Sequence, residues 1–371
     1  MSDAPDADTD AQRAALAAAF GRDTDPLAEH AATFEKTDVD PFSLFETDVL
    51  DARDIVKNTR AQYDIAFQQW REHMAHEGRH PACPNEGHVK RFAEHELTEK
   101  ENHPSTVKEK LRKLNEVYEY WVAEPGFPHP QDYNPVALAR SKTNFDAPDT
   151  KEPPRIPVDE LRDVIEDVPH LRGRAIIVLQ LKLGLRASEL GNLKLSEVSM
   201  QNQVVHEHYP ELGTHPRLDG RENAVYIPHD REENKSQRPR VLPLDDETRR
   251  VLLRYLLMRP DNGEPWVFLS HSFHGKLSNQ GILDVGKDAF HPEYEETEQH
   301  RSITSHFGRH YFTSFWTVEQ EANRELVKYM RGDTTGGAIL DGPPGAIDTY
   351  IHTYYENIEP LYREHIFKLG V

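Results

Sequence analysis

Leu183-Gly184-Leu185-Arg186-Ala187-Ser188-Glu189-Leu190 decides how this chain is read, because a later stretch, Thr304-Ser305-His306-Phe307-Gly308-Arg309-His310, answers it. Between them lies Asn234-Lys235-Ser236-Gln237-Arg238-Pro239-Arg240-Val241-Leu242-Pro243-Leu244, and Tyr350-Ile351-His352 follows. Arginine, lysine, histidine–arginine and tyrosine, in that order, suit chemistry on a phosphodiester. Opening that bond needs a nucleophile, positive charge on the phosphoryl oxygens and an acid for the leaving alkoxide. Arginine suits the second task because it is always charged and grips two oxygens at once.

The surrounding pattern places these residues. Arg186 follows Gly184 at what reads as a helix end, so its side chain is presented at a loop-to-helix junction. His306 and Arg309 are three apart and share one helix face. Lys235 sits near a β-turn, where a mobile ammonium reaches a leaving oxygen. Taken singly, each has an ordinary reading as a surface charge, a helix-surface pair or a packed aromatic ring. The ordered combination is what carries specificity.

Outward from these motifs, the second half mixes elements. Val158 to Val168, Leu171 to Leu183, Asp246 to Met258, His306 to Trp316 and Glu321 to Met330 read as helices. Val204-Val205, Ala224 to Ile227 and Arg240 to Leu244 read as short strands. Ile358, Leu361, Tyr362, Ile366 and Leu369 recur at helical spacing, predicting a C-terminal helix packed on its own domain or on a neighbouring protomer. The first half is helical: Tyr63, Phe67, Trp70 and Met74 make one apolar stripe, and Val107, Leu111, Leu114, Tyr118 and Trp121 a second. Lys108, Lys110, Arg112 and Lys113 interleave with the second stripe, either as a solvated face or as a helix lying along DNA phosphates. Asn134-Pro135 reads as the close of the helical region. The predicted organisation is an acidic flexible tail over 1–40, a helical domain over 41–140, a Pro-rich linker over 141–157 and a second domain over 158–371.

Composition bounds the rest. At 371 residues, 37% of them apolar, the chain is long enough for two cores, and a mean hydropathy of -0.76 implies a very polar surface. One cysteine, Cys83, excludes disulfide frameworks and points to a reducing compartment. His88 and His95 beside it lack zinc-ligand spacing. No N-terminal stretch reads as a signal peptide and no run is long enough for a membrane span, so a cytoplasmic protein is expected. Against this stands charge. Asp and Glu number 64 against 44 Lys and Arg, a net of -20, opposite to the usual balance of a nucleic-acid binder. Either the chain does not bind DNA, or it works at salt so high that surface charges barely sense one another, since the Debye length at 1 M is about 3 Å. Acidic bulk and low lysine fit a protein from an extreme halophile.

Taken together, the motifs closely resemble those of the tyrosine recombinase (phage integrase) family. Gly184 to Leu190 looks like its first-arginine box, and Lys235 with Arg240 to Leu244 is similar to its lysine hairpin. Thr304 to His310 resembles its His-x-x-Arg box, and Ala346 to His352 its nucleophile segment. The resemblance implies an all-α core-binding (SAM-like) domain followed by a mixed, mainly helical catalytic domain. It implies that Arg186 and Arg309 bind the scissile phosphate, Lys235 protonates the leaving 5′ oxygen, and His306 assists proton transfer. Tyr350 would form a 3′-phosphotyrosyl intermediate, with Tyr354 and Tyr355 as rivals. Glu189 reads as structural. No cofactor or metal is implied. The implied partners are double-stranded DNA at a specific site, a homotetramer assembled on it, and accessory DNA-bending proteins.

One departure stands out. The family carries a Leu-Gly-His (or Trp) box before the tyrosine, whereas Tyr329-Met330-Arg331-Gly332-Asp333-Thr334 puts Asp333 at that place. A carboxylate only accepts hydrogen bonds. Arg331 or Thr334 would then supply the missing donor, or Asp333 would orient His306. Gly336-Gly337 and Gly342 to Gly345 suggest a tether for the nucleophile or a simple loop insertion. Two other functions fit the same residues: a catalytically degenerate DNA-binding protein, and a type IB topoisomerase-like activity.

Overall fold

A computed structural model describes residues 4–53, 55–143, 145, 151–291, 293–304, 306–333 and 346–371, with side chains from residue 11 and, in the last segment, from 353. The chain divides into two compact units, Met1–Thr150 and Lys151–Val371.

The first unit is helical. The Lys57–His76 and Pro104–Ala123 helices each turn their predicted stripe inward: Tyr63, Phe67, Trp70 and Met74 from one, Val107, Leu111, Leu114, Tyr118 and Trp121 from the other, all buried. The Glu86–Thr98 helix adds Val89 and Phe92, and Asn85 caps it by accepting from His88 N at 3.0 Å. Phe42 lies edge-on to Trp121 with ring centroids 5.0 Å apart, and each buried tryptophan donates to a backbone carbonyl, Trp70 to Pro81 and Trp121 to Pro41. Burial of each such side chain contributes roughly 1.5–3 kcal/mol.

Two expectations change here. The acidic N-terminal segment is not a tail over its whole length. Ala4–Ala19 is helical, Leu27 is fully buried, and Asp25 binds Arg79 at 2.8 Å and Asn85 at 2.9 Å. Asn134-Pro135 opens a helix rather than closing one: Asn134 Oδ1 accepts from Ala137 N at 2.9 Å and Pro135 takes the first position of Pro135–Lys142. The linker reading over 141–157 lies in part outside the described residues.

The second unit is built around the Leu171–Leu183 helix. From Ala175 to Leu183 every residue is buried, Gln180 and Lys182 included. A helix apolar almost all round needs cover on every side. The Val158–Asp167, Asp246–Met258, Asn279–Phe290 and Phe307–Ser314 helices supply it. Lys182 is fully buried between Asp245 (2.6 Å) and Glu247 (2.5 Å), and Asp245 also holds Lys368 at 3.0 Å. A buried ammonium is tolerated because both partners are ionised and hydrogen-bonded.

A three-stranded antiparallel sheet lies beside this core: β1 (Val198–Ser199), β2 (Ala224–Ile227) and β3 (Arg240–Pro243), with Val225 opposite both Val198 and Leu242. Val204-Val205 is not a strand. It lies in a short helix, Gln203–His208, because Asn202 Oδ1 accepts from Val205 N at 3.1 Å and this cap overrides the β-branched pair's strand preference. Trp266 and Leu269 each form a single bridge, to Lys194 and Lys276. The Ala346–His365 helix packs on β3, burying Ile358 and Tyr362 in its own unit, with Ile366 and Leu369 behind it. No helix among the described residues is long and apolar enough to cross a membrane.

Candidate active site

Arg186 is set by two turns. Gly184 ends the Leu171–Leu183 helix in the left-handed conformation (φ 62°), and a Cβ there would lie 2.7 Å from the Phe312 ring, so only glycine fits. Arg186 then caps the short Ala187–Gly191 helix, its backbone N donating to Glu189 Oε2 at 2.8 Å.

Beneath it lies a network that the motifs did not announce. Glu189 and Arg240 are both fully buried and paired at 2.9 Å. Ser236 donates to Glu189 and accepts from Arg240 at 2.9 Å. Burial alone would raise the Glu189 carboxyl, but Arg240, Ser236 and the Arg186 amide hold it down at about 2. Glu189 therefore stays ionised and braces Arg186, whose Nη1 lies 3.5 Å from Oε1. The structural reading of Glu189 holds in these contacts. The hairpin motif includes Arg240 but gives no sign of its burial, because a charged residue in a strand usually marks the solvent face.

Arg309 comes from the Phe307–Ser314 helix and is 5% exposed. Its Nη1 donates to Gly184 O at 2.9 Å and its Nη2 to Arg331 O at 2.9 Å. Burial, then the charges of Arg186 and Arg240, pull the guanidinium down to about 9, which leaves it charged at neutral pH. Asp333 Oδ1 sits at 2.8 Å from Arg309 Nη2 and 3.3 Å from Arg186 Nη2, and its Oδ2 lies 2.9 Å from Arg331 Nε. So Asp333 faces three guanidiniums rather than His306, and Arg331 is a cation beside it. Thr334 and the Gly336 to Gly345 stretch lie outside the described residues.

His306 stands at the start of the same helix, exposed at its surface. Partial covering of the ring by its neighbours, then the charges of Arg186, Arg309 and Lys235, lower its pKa below the ordinary histidine value, so the ring is neutral near pH 7 and able to take a proton. Lys235 is exposed on the connection between β2 and β3. That connection is anchored by Asn192, which donates to Glu232 O and Asn234 Oδ1 at 2.9 Å each, and by Gln237 N donating to Gly332 O at 2.9 Å. The structure thus brings Arg186, Arg309, His306 and Lys235 into one cationic neighbourhood.

Tyr350 lies in the first turn and a half of the Ala346–His365 helix; its side chain is outside the described residues. Its rivals are occupied. Tyr355 is buried under Arg221, and burial holds its hydroxyl well above the usual tyrosine range. The Tyr354 ring stacks on Tyr329 at 4.9 Å.

The four basic residues of the first unit fare unequally. Lys110 is buried against Glu96, Lys113 is buried beside the Tyr63 ring, and Arg112 pairs with Glu109 and Glu116. Lys108 is exposed, 5.6 Å from the Phe145 ring centroid.

Residues 155–334 match the Phage integrase family. This stretch is a phage integrase domain. The structure of a lambda integrase tetramer bound to a Holliday junction is similar, with TM-score 0.59 and 14% identity over 80% of this chain and 77% of that one. A lambda integrase dimer bound to a COC′ core site gives 0.58 and 14% over 85% and 75%. The Tn1549 transposon integrase in complex with transposon right end DNA gives 0.58 and 15% over 88% and 99%. No curated protein matches the chain. At such identities the likeness is one of fold. Residues 155–334 and the fold around them are those of a phage integrase domain, mostly helical with a small antiparallel sheet.

Proposed function

We propose that the chain is a site-specific DNA recombinase that cuts and rejoins strands through a 3′-phosphotyrosyl intermediate at Tyr350. The observation that carries this reading is the convergence of Arg186 and Arg309 on a single anion oxygen, with neutral His306 and exposed Lys235 beside them. In the first step the Tyr350 oxygen attacks phosphorus while its proton passes to His306. The bond from phosphorus to the 5′ oxygen breaks, and Lys235 protonates that oxygen. Arg186 and Arg309 hold the non-bridging oxygens, where charge accumulates; one such donor is typically worth about 10²–10³ in rate. The phosphotyrosyl ester keeps the phosphodiester's energy, so a second 5′ hydroxyl reverses the steps and reseals DNA with no other group consumed.

The helical unit that takes in residues 41–140 serves in this reading as a core-binding domain, with a linker after the Pro135–Lys142 helix and 158–371 as the catalytic domain. The active form on DNA is a homotetramer across two sites, a reading supported by the tetramer and dimer states of the similar lambda structures. Accessory DNA-bending proteins would set direction. The net charge of -20 supports work in the cytoplasm of an extreme halophile, where short-range contacts replace long-range attraction. Asp333 in the arginine pair favours a second reading, a degenerate integrase that binds without cutting.

Incubating wild-type, Tyr350→Phe and Tyr354→Phe chains with replicon DNA in multimolar KCl, then denaturing in detergent, separates these readings. Recombinase function predicts protein-linked DNA at one recurrent sequence, lost only in Tyr350→Phe. Sequence-specific binding with no linkage in wild type would establish the degenerate binder.

A further inference from the structure

We infer that the Asp333 carboxylate is a built-in competitor for the DNA phosphate, seated between Arg186 and Arg309 in the DNA-free chain and displaced when the phosphate enters. This rests on the proposed role of those arginines as the phosphate seat. Three observations carry it. First, one oxygen, Oδ1, lies 2.8 Å from Arg309 Nη2 and 3.3 Å from Arg186 Nη2, a place that a non-bridging phosphate oxygen would need. A carboxylate and a phosphodiester each present two oxygens to a guanidinium fork, so one mimics the other. Both cannot occupy one place, and their like charges repel at contact.

Second, the carboxylate is free to leave while its backbone is not. Gly332, at φ 71°, and Asp333 close the Arg324–Arg331 helix, with Gly332 N donating to Tyr329 O at 2.8 Å and Asp333 N to Lys328 O at 2.9 Å. Gln237 N fixes Gly332 O from the other side. The side chain of Asp333, by contrast, is 29% exposed, so rotation about its own bonds suffices. Third, a resting place exists: Arg331 Nε already lies 2.9 Å from Oδ2, and its side chain is 31% exposed. Asp333 can keep that partner while releasing the other two.

The seat is then closed to free anions and open to a phosphate that the rest of the DNA holds in place. Its apparent affinity is lowered by the fraction of time the seat is filled. Inorganic phosphate, added at constant ionic strength to the full chain, tests this through the thermal midpoint, which a ligand of the folded state raises. Asp333→Asn, with Asp333→Ala as second variant, is expected to respond to phosphate concentrations at least tenfold lower than wild type. Adding Arg309→Ala is expected to abolish that response. On DNA, the same variants should reach half-maximal covalent complex at lower DNA concentration. Equal or weaker phosphate response in both Asp333 variants, while Arg309→Ala still removes it, would make Asp333 a mere brace and overturn the inference. A phosphate response indifferent to Arg309→Ala would instead overturn the seat assignment itself.

Discussion

Replacing Glu189 by glutamine removes the negative charge from a fully buried pair and leaves Arg240, also fully buried, without compensation. The carboxyl is held at about 2 against its ordinary 4.5. At about 1.4 kcal/mol per tenfold, ionised Glu189 contributes about 3 kcal/mol to the folded second unit. The range for breaking one side of a buried pair, roughly 3–5 kcal/mol, agrees. Because the folded value is depressed, this stabilisation is complete above pH 4.5 and is lost as pH falls towards 2. Glu189→Gln is therefore expected to lower the opening free energy of the 171–183 amides by about 3 kcal/mol in hydrogen exchange at neutral pH. The loss should be the same in low and multimolar KCl, since no mobile ion reaches the pair. Adding Arg240→Met should recover most of it, because the stranded charge is gone. A loss under about 1 kcal/mol, or one that vanishes with salt, would refute the buried-brace account.

Other consequences follow from the same contacts. His306, lowered below the ordinary histidine value by partial burial and the neighbouring cations Arg186, Arg309, Lys235 and Arg301, should give covalent-complex formation an acid limb below pH 6.5; rate falls as the ring gains its proton, and the limb disappears in His306→Gln. A Cβ on Gly332 would overlap the Arg240 guanidinium at a left-handed φ of 71°. Gly332→Ala is expected to cost at least about 1–2 kcal/mol in thermal unfolding and to slow strand cleavage more than tenfold. In the first unit, Lys108→Ala should weaken DNA binding and reduce the salt slope in fluorescence anisotropy by about 1. Lys110→Ala should instead destabilise the unit by stranding buried Glu96, leaving the salt slope unchanged.

Much of the fold was legible because burial writes itself into sequence as period. The Leu171 to Leu183 and Asp246 to Met258 helices have those bounds in the structure, and both first-unit stripes face inward. Where a single cap decided the matter, periodicity misled: Asn202 makes a helix of Val204-Val205, and Asn134 starts a helix where its proline suggested an end. Charge pairing leaves no such mark. Four of the six residues from Lys108 to Lys113 are basic, yet Glu109 within the run, Glu116 one turn on and Glu96 from the preceding helix neutralise most of that charge. The same holds at the site. Arg186 and Arg309 stand out by motif, whereas Ser236 and Arg240 are tied to the site by Glu189, 47 and 51 positions earlier in the chain. Asp333 was visible as a departure, but its three arginine partners were not.

The most direct measurement of the central claim is the chemistry of the ends in trapped protein–DNA complex formed by the wild-type chain. The complex is digested with protease, the adduct-bearing peptide sequenced by mass spectrometry, and the nicked strand offered to polynucleotide kinase without prior phosphatase. The account predicts DNA attached through its 3′ phosphate to Tyr350, with a free 5′ hydroxyl that takes label at once. Attachment at another residue, or a 5′ end that is blocked while the 3′ hydroxyl is free, would contradict it.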